Sequence, residues 1–195
     1  PYGRAGAGYV GTVDKLTLAD VKGFWKTHYG ASATTIVGAG DVTRAQLEAM
    51  RDGGVYAITV PLAPYRCPPG PYERASQVAA YFKKSKPRSK VLILDANPDV
   101  VSKPGLFKKA WAELYPGMVE FRPNNALVEV DGRARTAKLQ FEDVKADVLN
   151  IVPTMRAAPL ARQAGLVNAN DRWCAVDWLS MESTAAKGVH VLGDA

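Results

Sequence analysis

One cysteine in this sequence lies where a reactive thiol would be expected. Cys67 is in a proline-rich stretch, residues 61–71, that joins a run of β-branched and aromatic residues to an amphipathic segment. A cysteine near the N-terminus of a helix, with a cation such as Arg66 beside it, is favoured as the thiolate, the nucleophilic form. The same pattern also fits a buried, inert cysteine in a rigid loop. From the residues alone, both interpretations stay open.

The remaining candidates for metal binding are few and far apart. Besides Cys67 the chain has one other cysteine, Cys174, and two histidines, His28 and His190. Two cysteines allow one disulfide or none. A zinc site needs four ligands, usually in closely spaced pairs, and these residues match no such pattern. The sequence therefore predicts no metal site.

The chain is basic, with a net charge of +6 and a pI of about 9.3. Its basic residues are partly clustered in residues 83–90, Lys-Lys-Ser-Lys-Pro-Arg-Ser-Lys. Such a run can bind nucleic acid or an acidic protein face. It also fits the solvated C-terminal end of a helix, where cations complement the helix dipole. We favour the helix end, because no aromatic residues alternate with the cations and no nucleic-acid-binding motif is present.

Two further classes are not indicated. No apolar run approaches the roughly 20 residues needed to cross a bilayer, so no membrane span is predicted. The first residues, Pro1 to Arg4, have no apolar run behind them, so no signal peptide is predicted either.

Strand and helix patterns alternate along the chain after a turn at residues 52–54. The predicted strands are 55–60, 91–94, 119–121, 127–130, 137–141, 147–152 and 189–192, and the predicted helices are 72–84, 104–115 and 160–164. The apolar run 91–94, which ends at Asp95, is typical of a strand buried on both faces of a parallel sheet. The order predicts an α/β nucleotide-binding-type domain with a parallel sheet and a β-hairpin.

The first 50 residues have a different pattern. Thr17 and Asp20 fit a capping box at the start of a helix, and a second helix is predicted from a cap at Thr43 through residues 47–50. A short strand is predicted at residues 33–37. These elements form a small α/β N-terminal segment.

The proline-rich loop also carries a resemblance to a known family. Residues 65–75 contain the run Arg-Cys-Pro-Pro-Gly-Pro-Tyr-Glu, which resembles the flavoprotein subunit of flavocytochrome c sulfide dehydrogenase. Further segments resemble the same family in the same order: residues 52–54, 90–95, 146–153, 173–177 and 187–195. The resemblance covers residues 46–195, roughly three quarters of the chain.

The resemblance implies a glutathione-reductase-like fold, FAD as cofactor and a periplasmic location. Cys67 corresponds to the family's redox-active cysteine, which pairs with a second cysteine beside the flavin. Sulfide attacks that disulfide, and the electrons pass through FAD to a c-type cytochrome subunit. Gly193 and Asp194 correspond to a late FAD motif, in which the Asp carboxylate accepts a hydrogen bond from a ribityl hydroxyl.

Other residues are assigned structural roles. Asp95 ends a strand where related folds bind ribose, and without a glycine loop it is interpreted as a relic or a structural cap. Trp173 and Trp178 are expected in the core, away from any stacking contact with the flavin. Cys174 corresponds to a non-redox position, so it is not assigned as the partner of Cys67.

Three parts are predicted for the chain: residues 1–45, a degenerate pyridine-nucleotide-type domain at 46–152, and a returning part of the FAD-binding domain at 153–195. Residues 1–45 resemble a piece of an insulinase-like (pitrilysin) zinc peptidase but lack its His-x-x-Glu-His motif. The family's N-terminal FAD pyrophosphate loop, second redox cysteine and C-terminal interface domain are not in this sequence. We therefore expect weak or absent FAD binding and no sulfide-to-cytochrome turnover by this chain.

Two alternatives to the sulfide oxidoreductase stay open. One is a non-catalytic α/β module that binds a partner protein, for example through residues 83–90. The other, less favoured because the zinc motif is absent, is a peptidase fragment.

Overall fold

The computed structural model describes residues 11, 14–20, 22–23, 44–193 and 195. The chain divides into two compact units, Pro1–Ala39 and Gly40–Ala195. In the first unit, the amide of Asp20 donates to Thr17 Oγ1 (3.2 Å), and the amide of Thr17 donates to the Asp20 carboxylate (2.9 Å). This reciprocal pair confirms the predicted capping box. The strand predicted at 33–37 and the cap at Thr43 lie outside the described residues.

The second unit is built on a four-stranded parallel sheet. Its strands are β1 (Val55–Val60), β2 (Lys90–Asp95), β3 (Val119–Arg122) and β7 (Val148–Asn150), in the order β3-β2-β1-β7. The helices of this unit are α1 (Arg44–Ala49), α2 (Gly70–Ser85), α3 (Pro104–Leu114) and α4 (Pro159–Gln163). A second, antiparallel sheet joins β4 (Leu127–Asp131), β5 (Thr136–Leu139) and β6 (Asp143–Lys145). The predicted α/β fold with a parallel sheet and a hairpin is confirmed.

The alternation of side chains along β1 and β2 separates two cores. Tyr56, Ile58 and Val60 of β1 belong to the larger core, which contains the buried face of α2 and the aromatic residues of α3. Ala57 of β1 and Leu92 and Leu94 of β2 belong to the smaller one, with residues of β5 and β6. Because both faces are covered, the two central strands are apolar almost throughout, as the run at 91–94 predicts.

The basic run at 83–90 lies at the end of α2 and mostly contacts the protein itself. Lys83 and Lys84 are in the last turn of α2. Lys83 Nζ donates to the carbonyl of Leu114, the last residue of α3 (2.9 Å), and Lys86 Nζ donates to the carbonyls of Glu48 (3.0 Å) and Met50 (2.5 Å). These contacts confirm the helix-end interpretation of the run.

Two strand predictions need correction. Residues 189–192 do not form a strand; a single bridge joins His190 to Glu182, because this segment has no neighbouring strand in the described chain to pair with. The short strand β6 was not predicted, since three residues with one buried side chain, Val144, give too little pattern to recognise. Among the described residues, no helix is long and apolar enough to cross a membrane.

Candidate functional site

Cys67 lies in the connection between β1 and α2, at the carboxyl end of the central strand. Its thiol is free and its side chain is exposed, so the interpretation that Cys67 is buried is wrong. The backbone at Cys67 is left-handed (φ 53°), a conformation that costs a residue with a side chain about 1–2 kcal/mol. The amide of Gly70, the first residue of α2, donates to the Cys67 carbonyl (2.9 Å) and closes the turn.

Three buried side chains, those of Tyr65, Tyr72 and Asp95, form a row of hydrogen bonds that ends at this loop. The Tyr65 hydroxyl lies 3.2 Å from the Pro68 carbonyl and 3.3 Å from the Tyr72 hydroxyl. Tyr72 in turn donates to Asp95 Oδ2 (2.7 Å) and accepts from the amide of Val101 (3.1 Å). Tyr72 and Asp95 are completely buried, and Tyr65 nearly so.

Asp95 is the fixed end of this row. Its Oδ1 accepts hydrogen bonds from the amide (2.8 Å) and the side chain (2.7 Å) of Asn97. Burial raises the pKa of the Asp95 carboxyl, although the bonds from Tyr72 and Asn97 act in the opposite direction. Burial also raises the pKa of Tyr72, which keeps its phenol protonated and able to donate. Asp95 therefore has the structural role that the sequence predicted.

The segment that follows β7 returns to the Cys67 loop and binds it. The Arg66 amide donates to Met155 Sδ (3.2 Å), and the Arg66 guanidinium donates to the Arg156 carbonyl (3.3 Å) and lies 5.2 Å from the ring centroid of Trp173. Arg172 reaches back in the opposite direction to the carbonyls of Leu62 (3.4 Å) and Ala63 (3.2 Å). These contacts join residues more than 85 positions apart in sequence, and no local pattern predicts them.

A cavity of about 490 Å³ lies between the loop and the returning segment. Its lining residues are Pro64, Tyr65, Arg66, Ala169, Asn170, Trp173, Cys174, Ala175, Val176, Trp178, Gly193 and Ala195. The structure thus brings Gly193 to the same cavity as Arg66, the neighbour of Cys67. Asp194 lies outside the described residues. Cys174 is buried and its amide donates to the Ala195 carbonyl (3.2 Å), in keeping with a structural role.

The two tryptophans differ. Trp173 is half-buried, and its indole Nε1 is enclosed without a hydrogen-bond partner in the described part of the chain. Trp178 is 81% exposed, so its placement in the core was wrong. Trp178 lies in the exposed turn 177–180, where the Asp177 carboxylate accepts hydrogen bonds from the amides of Leu179 (3.0 Å) and Ser180 (2.9 Å).

A family model described as "Sulfide dehydrogenase [flavocytochrome c] flavoprotein chain, central" matches residues 40–153. The chain belongs to this family. The match covers more than half of the chain and includes Cys67, Tyr72 and Asp95. It establishes the family of flavoprotein oxidoreductases that the proline-rich loop indicated.

Two solved structures are similar to this chain at low sequence identity, and the first of them shares its fold. A pyridine nucleotide-disulfide family oxidoreductase from Enterococcus faecalis V583 matches 72% of this family member at 11% identity with a TM-score of 0.51. The HOCl-induced flavoprotein disulfide reductase RclA from Escherichia coli, solved as a Cu(II) complex, matches 68% at 18% identity with a TM-score of 0.43. The chain spans about a third of the length of these two proteins. None of these proteins supports the peptidase resemblance of residues 1–45.

The residues of this sulfide dehydrogenase family member fit part of a flavin site. The cavity offers aromatic and apolar walls, the Arg66 guanidinium and the exposed backbone of Gly193, a mixture that suits a flat, partly polar ring system. The β1–α2 connection does not fit a pyrophosphate. Pro69 and Pro71 have no N–H, and the amide of Gly70 already donates to Cys67.

Proposed function

We propose that this chain contributes the redox-cysteine loop and one wall of the flavin site to a flavin-dependent oxidoreductase that oxidises sulfide. The observation that carries the proposal is the exposed thiol of Cys67, held in a strained turn at the carboxyl end of a central parallel strand. The family match extends across this turn. Ligands of open α/β sheets bind at the carboxyl ends of the strands, so the thiol is on the edge where chemistry is expected.

In the proposed reaction, Cys67 forms a disulfide with a second cysteine. The chain's two cysteines, Cys67 and Cys174, are both free and Cys174 is buried, so Cys174 is not the proposed partner of Cys67. Sulfide adds to one sulfur of the disulfide: the S–S bond breaks, a new S–S bond forms to the substrate sulfur, and the other cysteine leaves as a thiolate.

FAD would supply the acceptor for the two electrons released when the sulfide sulfur is oxidised, and a c-type cytochrome subunit would take them onward. On this chain, we propose that the flavin is held by Gly193 and Asp194 and lies in the cavity beside Arg66. A periplasmic location is proposed with this partner. The division into a degenerate nucleotide-type domain at 46–152 and a returning FAD-domain part at 153–195 also stays a proposal.

The sulfide chemistry of Cys67 is tested without flavin. The native protein is labelled at Cys67 as the mixed disulfide with 2-nitro-5-thiobenzoate, while Cys174 is protected by burial. Sulfide is then added to the folded protein and to the same sample in urea, and loss of the mixed disulfide is followed by mass spectrometry. We expect the folded protein to react about tenfold faster. Equal rates would show that the fold does not prepare Cys67 for sulfide.

Cofactor binding is tested separately by incubation with FAD, desalting and a visible spectrum. We expect this chain to retain little flavin, because the cavity proposed to hold it includes no helix N-terminus among its described lining residues to bind the pyrophosphate. A retained flavin band would show that the residues of this chain suffice to hold the cofactor and would contradict this expectation.

A second candidate, a module that binds a partner through residues 83–90, has less support. Lys83, Lys86 and Lys90 of this run donate to carbonyls of the protein itself.

A further inference from the structure

The Tyr65 hydroxyl bridges the two ends of the turn that holds Cys67. Tyr65 is two residues before Cys67, and its hydroxyl lies 3.2 Å from the carbonyl of Pro68, the residue after Cys67. The Tyr65 side chain therefore links the residue two positions before Cys67 to the residue directly after it. The backbone of the turn is left-handed at Cys67. A residue with a side chain keeps this conformation only where contacts with the surrounding structure hold it.

The bridge is fixed to the sheet through hydroxyl groups whose roles can be assigned. Tyr72 donates its single proton to Asp95 Oδ2 (2.7 Å), so it can only accept from its other neighbours. One of these is the Val101 amide (3.1 Å), and the other is the Tyr65 hydroxyl (3.3 Å). The Tyr65 proton is thus shared between the Pro68 carbonyl and Tyr72. All remaining capacity of Tyr72 is used within the protein.

Resting on the proposed function, we propose that Tyr65 is a positioning residue for the Cys67 thiol. Its hydrogen bond to Tyr72, which is bonded to Asp95, attaches the turn to the end of β2. This attachment keeps the thiol exposed at the start of α2. In this role the Tyr65 hydroxyl acts through the backbone of the turn, although the Tyr65 side chain also lines the cavity beside Arg66. Without its hydroxyl, the Cys67 backbone is free to leave the left-handed region, and the thiol loses its fixed position beside the helix N-terminus.

The test is thiol labelling of Tyr65→Phe with 5,5′-dithiobis(2-nitrobenzoate), followed as a rate constant across a range of pH. Tyr56→Phe is the matched control, because it also removes a buried tyrosine hydroxyl bond, from Tyr56 to Asn150 Oδ1 (3.0 Å), away from Cys67. Cys67→Ser gives the background from Cys174. Thermal unfolding of each variant measures the general loss of stability.

We expect Tyr65→Phe to slow labelling at neutral pH by about threefold or more, the size expected for the loss of one hydrogen bond. Tyr56→Phe should lose a similar amount of stability with its labelling unchanged across the same pH range. Unchanged or faster labelling in Tyr65→Phe, or an equal slowing in Tyr56→Phe, would overturn the proposal. Because the assay contains neither flavin nor sulfide, its outcome is independent of whether Cys67 oxidises sulfide.

Discussion

Gly70 and Cys67 are packed more closely than a side chain at position 70 would allow. A Cβ added to Gly70 would lie 3.2 Å from Cys67 Sγ and 3.7 Å from its Cβ. The contact is tighter than most real Cβ contacts, so the thiol itself would have to move.

Gly70→Ala should therefore alter the reactivity of Cys67 more than the stability of the protein. Alanine favours helix over glycine by up to about 1 kcal/mol, which offsets part of the crowding. We expect a change of severalfold in the labelling rate of Cys67, measured with a thiol reagent, and an unfolding free energy within about 1 kcal/mol of the native protein. Gly105→Ala, at the second residue of α3, is the control, since nothing lies within 4 Å of its added Cβ. Equal labelling of both variants would contradict the expectation.

Asp95→Asn should make stability less dependent on pH. Burial raises the folded-state pKa of Asp95 above its unfolded value of about 3.9. The stability gained from the neutral carboxyl is fully present below that unfolded value and is lost as the pH rises through the folded pKa. We expect the unfolding free energy of Asp95→Asn to increase relative to that of the native protein as the pH rises from about 4. Urea denaturation of both proteins at each pH measures this difference.

Asp52→Asn provides a control of opposite sign. The hydrogen bond from Arg88 lowers the pKa of Asp52, so its contribution is present above the unfolded pKa and is lost as the pH falls. The loss in Asp52→Asn should therefore be greatest near neutral pH and vanish in acid. Parallel pH curves for native protein and Asp95→Asn would show that Asp95 does not titrate differently in the folded state.

Lys86→Met should destabilise the protein, whereas Lys84→Met should not. The Lys86 ammonium supplies hydrogen bonds to the carbonyls of Glu48 and Met50 at the end of α1. Lys84, two residues away in the same basic run, is exposed. We expect a loss of about 1 kcal/mol for Lys86→Met, measured by denaturant unfolding at one salt concentration. A similar loss in both variants would mean that net charge, and not the helix end, is responsible.

Arg66→Gln should loosen the returning segment without weakening the sheet. The substitution removes the cation over Trp173 and the guanidinium bond to the Arg156 carbonyl. We expect faster hydrogen exchange in residues 155–173, measured by mass spectrometry, and unchanged exchange in β1 and β2. Arg133→Gln, in the exposed turn between β4 and β5, is the control. Faster exchange throughout the chain would point to global destabilisation.

Sequence patterns predicted the parts of this protein that depend on residues close to one another in the sequence. The apolar run of β2 and the buried positions of α2, among them Ala75 and Phe82, follow from periodicity. Segment 189–192 shows the limit of that signal, because its apolar residues suggest a strand while the fold offers no strand beside it.

The site shows the same division. Cys67 was singled out from a local run of residues, but its exposure depends on the geometry of the turn. The bond from Arg66 to Met155 and the chain from Tyr65 through Tyr72 to Asp95 join separate elements. The spacing of Tyr72 along α2 gives no sign that its hydroxyl bonds to Asp95 at the end of β2.

The proline-rich connection and the enclosed Asp95 together bear on which electron carriers this protein can exchange with. A nicotinamide dinucleotide on such a sheet needs amide donors after the first strand and a free carboxylate after the second. Here prolines replace the donors, and Tyr72 and Asn97 already occupy the carboxylate. If Cys67 takes electrons from a substrate, as proposed, the described sheet therefore offers no site at which a nicotinamide dinucleotide could exchange them.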